Sequence, residues 1–317
     1  MKQAPFEASH AREWAEFEDF LDKKKSFDPA EMPARFRRIS QHLALAQERC
    51  YSMDLVDRLN RLALRGHHAL YVNRRRESQQ VLDFMLAGFP RLVRKEWRLV
   101  AAAALLFYGP LLALTVILQL YPDFAYYLLS PQQIASFHSM YDPANRRIGM
   151  READTNVAMF GFYIWNNVRI GFQTFAGGML AGVGSAWFLG ANGVIIGAVA
   201  GYLPQAGFGE TFWSFVAGHS ALELTAIVLS GAAGFKLGLA VIAPGNLSRK
   251  AALIEAAKPA VRIMYGAALM FVGAAFVEAF WSPNTEVPYN WKIGVGIAWW
   301  VVVLAYLAFA GRTRAAG

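Results

Sequence analysis

His219 and Glu223 stand four residues apart in FVAGHSALELTAIVLSGAAGFKLG, a stretch otherwise dominated by apolar and small residues. On a helix that spacing puts both side chains on one face. An imidazole beside a carboxylate can share a proton, pair as ions, or offer two donors to a metal. Glu278 in VEAFWSP and Arg169 in NNVRIG are further charges in apolar surroundings, and Asn166 and Asn167 lie beside Arg169. Counted along helices from their outer ends, Arg169 and Glu278 lie about 6 Å deep, His219 about 10 Å and Glu223 about 15 Å. An isolated charge at mid-depth of a bilayer costs roughly 3 kcal/mol on insertion scales. Pairing is therefore expected, His219 with Glu223 along one helix and Arg169 with Glu278 across two, unless Glu223 carries a proton instead. A structural pair, a proton or ion relay, and a substrate contact all remain open. One His and one Glu fall short of the donors a metal needs. The rest would have to come from residues such as Glu210, Glu278 or His138, and neither a metal nor a cofactor is expected.

No GxxxxGK[ST], GxGxxG after a strand, HExxH, GxSxG or CxxC pattern occurs, which removes the common nucleotide, hydrolase and redox signatures. Cys50 is the single cysteine, so no intramolecular disulfide can form.

The elements that position these residues follow from composition. The chain is 56% hydrophobic and 17% charged, with mean hydropathy +0.27, which favours a membrane class. Its net charge of +8 is uneven, residues 1–98 holding 19 of the 31 Lys and Arg. Basic residues beside apolar spans mark the cytoplasmic flank of a membrane protein rather than a nucleic-acid surface. The first thirty residues contain no apolar run of a signal peptide, so a cytoplasmic N-terminus is expected.

Residues 1–98 read as a helical cytoplasmic domain. Trp14, Phe17 and Leu21 give one apolar face, and Asp28-Pro29 caps a second helix carrying Phe36, Ile39, Leu43 and Ala46. A third helix carries Leu55, Leu59, Leu62 and Leu70, and a fourth, from Ser78, carries Val81, Met85 and Phe89 before Pro90. His67 and His68 are expected in the domain core, and Arg74–Arg76 on a solvated or lipid-facing patch.

Residues 99–317 read as a polytopic all-α bundle of about six spans. These are Leu99–Leu120, Asn166–Gly190, Gly193–Leu203, Phe212–Ile242, Arg262–Trp281 and Ile293–Ala310, with an external segment at 121–165. The third is short and either crosses or is re-entrant. Arg249, Lys250, Lys258, Arg262, Arg312 and Arg314 fall on the inner side if both termini are cytoplasmic. Small residues form three stripes at helical spacing. One is Asn167, Gly171, Thr174, Gly178, Gly182 and Ser185. The others are Gly193, Gly197 and Gly201, and His219, Glu223, Ala226, Ser230, Gly234 and Gly238. They imply close helix packing or a lined path. Packing within the chain is favoured, with a homodimer through another face left open.

These motifs together resemble the stage II sporulation protein M family. The membrane part carries FxxGxxxGxGS, NGxxxG, HxxxEL, SGAAGFKLG, PGNLSRKAAL and VEAFWSP, and the N-terminal part RFRRISQHLALA and LNRLALRGHHALY. The chain departs where the family reads His-Gly, having Ser220 after His219. The resemblance implies an integral protein of the inner (cytoplasmic) membrane. It implies a non-enzymatic scaffold or anchor for envelope partners, as in sporulation, or for a MoxR-type ATPase, in contact with lipid. The alternative function is a transporter or channel with an intramembrane His/Glu site for protons, ions or lipid.

Overall fold

The structure is a computed structural model. It describes residues 2–22, 31–142 and 153–312, and the side chains of all of these except 70–78 and 153–155. Asp28-Pro29, the side chains of Leu70, Arg74–Arg76 and Asp154, and Arg314 lie outside the described residues. Among the described residues every regular element is helical. The chain divides into two units, residues 1–84 and 85–317.

In the first unit, α1 (Gln3–Leu21), α2 (Met32–Glu48) and α3 (Met53–Asp83) enclose Phe6, Trp14, Phe17, Ile39, Ala46, Leu55, Leu59 and Leu62. Of the expected apolar positions Trp14, Phe17, Ile39, Ala46, Leu55, Leu59 and Leu62 are buried, Leu21, Phe36 and Leu43 half-buried, and Val81 exposed. Two expectations change. The third and fourth helices are one, because nothing between Leu62 and Asp83 breaks the backbone pattern, and Pro90 starts α4 (Phe89–Lys95) rather than ending a helix. His67 and His68 are exposed, and the buried histidine is His42.

In the second unit, four stretches are long and apolar enough to cross a membrane among the described residues: Trp97–Leu120, Val183–Ile242, Arg249–Trp281 and Tyr289–Phe309. The longest has 60 residues, about 90 Å if straight, three times a bilayer core. It folds back at Pro204–Phe208, where Gly207 takes φ 89°, into α9 (Val183–Leu203) and α10 (Gly209–Ile242). The register is antiparallel: Gly182 meets Gly238, Ser185 meets Gly234 and Leu189 meets Gly231. Beside α9 lies α5 (Trp97–Leu120) in parallel, with Phe107, Leu111 and Leu118 against Gly193, Gly197 and Gly201.

The expected span Asn166–Gly190 is not one helix. It is the end of α8 (Ala153–Ala176) and the start of α9, joined by a turn at 177–182 in which Ala181 (φ 53°) and Gly182 (φ 82°) reverse the chain. The Gly-rich composition that reads as apolar span is there the material of a hairpin. Likewise Gly193–Leu203 is no short or re-entrant span but the second half of α9, whose 21 residues reach about 31 Å. The helix α8 already begins at Ala153, inside the supposed external segment, since its polar first turns lower hydropathy without breaking a helix.

Opposite Gly218 and Leu222 of α10, Trp281 and Gly273 show that α11 (Arg249–Phe276) runs antiparallel, and α12 (Tyr289–Phe309) packs Gly296 on Ala217. Arg94 donates to the carbonyls of Leu307 (2.6 Å) and Ala310 (2.7 Å), tying the end of α12 to the start of α5. The directions alternate through α5, α8, α9, α10, α11 and α12, of which α8 is not among the four stretches long and apolar enough to cross a membrane. The unit's first and last helices therefore begin and end on one side.

Between α5 and α8 the chain forms α6 (Ala125–Leu128) and α7 (Pro131–Tyr141), the latter started by a Ser130–Gln133 capping box. Ala125, Leu129, Ile134 and Tyr141 bury against residues of α9 and α10. This segment is docked rather than loose.

Candidate intramembrane polar site

The small-residue stripes are consumed by packing. A Cβ on Gly178 would lie 2.1 Å from the Gly234 carbonyl oxygen, on Gly193 2.3 Å from that of Phe107, and on Gly197 2.5 Å from that of Leu111. Gly201 rests on Leu118, and Gly238 on the Gly182 backbone. Ser185 Oγ donates to the Thr174 carbonyl at 2.6 Å. Backbone meets backbone at Gly178, Gly193, Gly197 and Gly238, while Gly171, Gly201 and Gly231 rest first on the side chains of Phe271, Leu118 and Leu189.

Polar chemistry concentrates instead in the N-terminal half of α10. His219 is buried and Glu223 nearly so, with His219 Nε2 3.7 Å from Glu223 Oε2. That distance is an electrostatic contact, too long for a hydrogen bond. The other ring nitrogen, Nδ1, is 3.1 Å from Ser282 Oγ. Phe215 stands edge-on to the imidazole at 5.5 Å. Glu278 arrives from the π turn Val277–Trp281 that ends α11. One donor atom from each of His219, Glu223 and Glu278 lies within 4.8 Å of the others.

Two residues from outside these helices complete the surroundings. Tyr141 of α7 is buried, and burial first, then the charges of Glu278, Tyr163 and Glu223, push its phenol pKa up. Tyr141 also lines a cavity with His219 and Glu223. Lys292, 4% exposed in the first turn of α12, donates to the Ser282 carbonyl at 2.7 Å. The same Lys292 and Ser282 line a polar cavity of about 500 Å³ with Asp142 and Glu210. On the other side His219, Ser220 and Glu223 close one end of a mainly apolar cavity of about 460 Å³ between α5, α7, α9, α10 and Trp300. Ser220 borders this cavity and its hydroxyl donates to the Ala217 carbonyl at 3.3 Å.

The structure joins His219, Glu223 and Glu278, but Arg169 stands apart. It lies exposed over the Trp165 ring at 4.6 Å, with Asn166 Oδ1 at 3.5 Å, and no ion pair with Glu278 forms among the described residues. The reason is angular: a shared depth says nothing about helix rotation, and Arg169 faces outward where an aromatic neighbour and the interface receive it. Asn167 is buried, and its Nδ2 has no hydrogen-bond partner. His138 is occupied elsewhere, 3.0 Å from the Tyr202 hydroxyl.

Sequence reasoning passed over Ser282 and Tyr141, which need tertiary contact to be found. It also passed over Lys236, whose ammonium pairs with Glu96 at 2.8 Å. A lysine inside SGAAGFKLG was the available signal.

A family model described as stage II sporulation protein M matches residues 100–283, and a domain of unknown function (DUF8413) matches residues 4–72. No curated protein and no solved structure matches the chain.

Proposed function

The chain belongs to the stage II sporulation protein M family, and from that premise we propose that it is a membrane scaffold rather than an enzyme. It anchors cell-envelope proteins or a MoxR-type ATPase at the inner membrane. The supporting observation is close packing: Gly178 and Gly238 bring the 177–182 turn and α10 together backbone to backbone, and Gly193 and Gly197 do the same for α9 and α5, which suits a rigid anchor. The separately packed helical unit 1–84 offers a binding surface apart from the bundle. Cross-linking in native membranes should recover the same envelope or ATPase partner with wild type and with the His219→Leu/Glu223→Leu double variant. Loss of that partner from the inserted double variant would reject the scaffold reading.

A second reading, transport of a proton, ion or lipid, draws on the cavity that ends at His219 and Glu223. It predicts that Glu223→Gln abolishes flux in proteoliposomes while the protein still inserts.

For orientation, the basic 243–262 connection and the shared side of the unit's two ends support cytoplasmic termini. Cys50, exposed, should resist an impermeant thiol reagent in intact cells and react after lysis. Labelling in sealed cells would invert the topology.

A further inference from the structure

We propose that His219, Glu223 and Glu278 form a binding site for a divalent cation of the zinc class, held between α10 and the π turn after α11. The proposal does not depend on the scaffold reading. It rests first on spacing. Two ligands of one tetrahedral zinc, each bound at about 2.0–2.1 Å, lie about 3.4 Å apart. His219 Nε2 and Glu223 Oε2 stand at 3.7 Å, too far to bond each other and close to that separation. All three donor atoms lie within 4.8 Å, so small side-chain movements bring them onto one ion.

The second ground is the orientation of the imidazole. The Ser282 hydroxyl at 3.1 Å can accept a proton held on Nδ1, which turns the Nε2 lone pair toward Glu223. Metal-bound histidines are generally fixed in this manner through their other nitrogen. Ser282 is itself held by its amide on the Val277 carbonyl (2.8 Å) and by Lys292 on its own carbonyl, so the acceptor is anchored.

The third ground is charge and placement. A π turn widens the helix where Glu278 emerges, and such turns recur at functional sites. Two carboxylates brought together in apolar surroundings repel, and a dication relieves that repulsion. Tyr141, 6% exposed and making no hydrogen bond among the described residues, lines the same cavity as His219 and Glu223. It is placed to meet a group on the ion's remaining position. The mixed nitrogen and oxygen donors suit zinc rather than calcium, which takes six to eight oxygens.

The test uses the full-length protein in detergent, stripped with a chelator, reloaded with Zn²⁺ and desalted before elemental analysis. Wild type should retain about one zinc per chain at this site. Glu223→Gln and Glu278→Gln should each fall to background while keeping the gel-filtration position and the chelator-treated melting curve of wild type. His10→Ala and Glu13→Ala, in the other His/Glu cluster, should leave retention unchanged. Wild type loaded with Co²⁺ should give the visible absorption of a tetrahedral site, a readout that needs no variant. Wild type that keeps no zinc and gives no cobalt spectrum overturns the proposal. So does equal retention by the Gln variants, or loss confined to His10→Ala and Glu13→Ala.

Discussion

The chain holds two clusters of similar composition, His10–Glu13–His42 in the first unit and His219–Glu223–Glu278 in the second, and both bring their donor atoms within 4.8 Å. They differ in what the remaining atoms do. In the first, the Trp14 indole donates to His42 Nδ1 at 3.1 Å. An indole N–H only donates, so the neutral His42 ring carries its proton on Nε2 and has no lone pair left for an ion. Glu13 Oε1 is already met by the Arg38 guanidinium at 2.8 Å, an ion pair without hydrogen-bond alignment. In the second, the outer nitrogen faces a serine hydroxyl able to accept, and Nε2 is left toward carboxylates. Both clusters mix His and Glu within the same 4.8 Å, two His with one Glu in the first and one His with two Glu in the second. The partner of the second nitrogen separates a core contact from a ligand set.

The comparison breaks most visibly at the histidines. His219→Leu in the metal-free protein removes the imidazole facing Glu223 inside the bundle. The loss leaves the Ser282 hydroxyl and the Glu223 carboxyl without that neighbour, about 1–3 kcal/mol for each buried polar group left unmet, and replacing both residues by apolar ones restores much of it. Thermal melts of His219→Leu and of His219→Leu/Glu223→Leu should show that fall and recovery. If the double variant is no more stable than the single, the pair is not coupled. His42→Leu should cost less, because Glu13 keeps Arg38 and chiefly the Trp14 N–H loses its partner, about 1–3 kcal/mol for a buried donor.

Packing gives a second contrast, smaller per substitution. The first unit is held by interlocked aromatics such as Trp14 and Phe17, whereas α8, α9 and α10 are held by absent side chains. Gly178→Ala puts a Cβ against backbone and should lower stability by about 1–3 kcal/mol, the usual range for overpacking. Gly161→Ala, within α8, meets nothing within 4 Å and should be neutral or raise stability by up to about 1 kcal/mol through helix propensity. Equal melting temperatures for the two variants would show that the seam yields.

What was legible in the sequence divides along the same line. Periodicity marked Trp14, Phe17, Ile39 and Leu59 as core, because amphipathic burial is written in spacing. Repeats of small residues marked Gly178, Gly193, Gly197 and Gly234 as contacts. The boundary at 177–182 was not legible. Glycine that permits close approach and glycine that permits positive φ look alike until Gly182 is seen at φ 82°. Of the site, the His219–Glu223 spacing was readable within one helix. Ser282 and Tyr141, and Arg169 turning away, depend on rotations of separate helices that no local pattern encodes.

The smallest effect is a pH dependence confined to the first cluster. Burial lowers the His42 pKa below its ordinary 6.5, and positive charge on His10 and Arg38 lowers it further against the opposing pull of Glu13. The two imidazole rings stand 4.0 Å apart, so a proton on one is felt by the other. Because the folded value is depressed, the unfolded chain binds a proton between the folded pKa and 6.5 that the folded chain refuses. Above 6.5 both states are neutral at His42 and it contributes no slope; as pH falls from there through the folded pKa, stability of this unit declines. His42→Asn keeps a short acceptor for the Trp14 N–H but does not titrate, and should flatten that decline. Hydrogen exchange of peptides covering Trp14 and His42 in the whole protein, corrected for intrinsic rates between about pH 5 and 7, reads the difference. Identical slopes for wild type and His42→Asn would mean that His42 is not the group that titrates, and the contrast between the clusters would then rest on geometry alone.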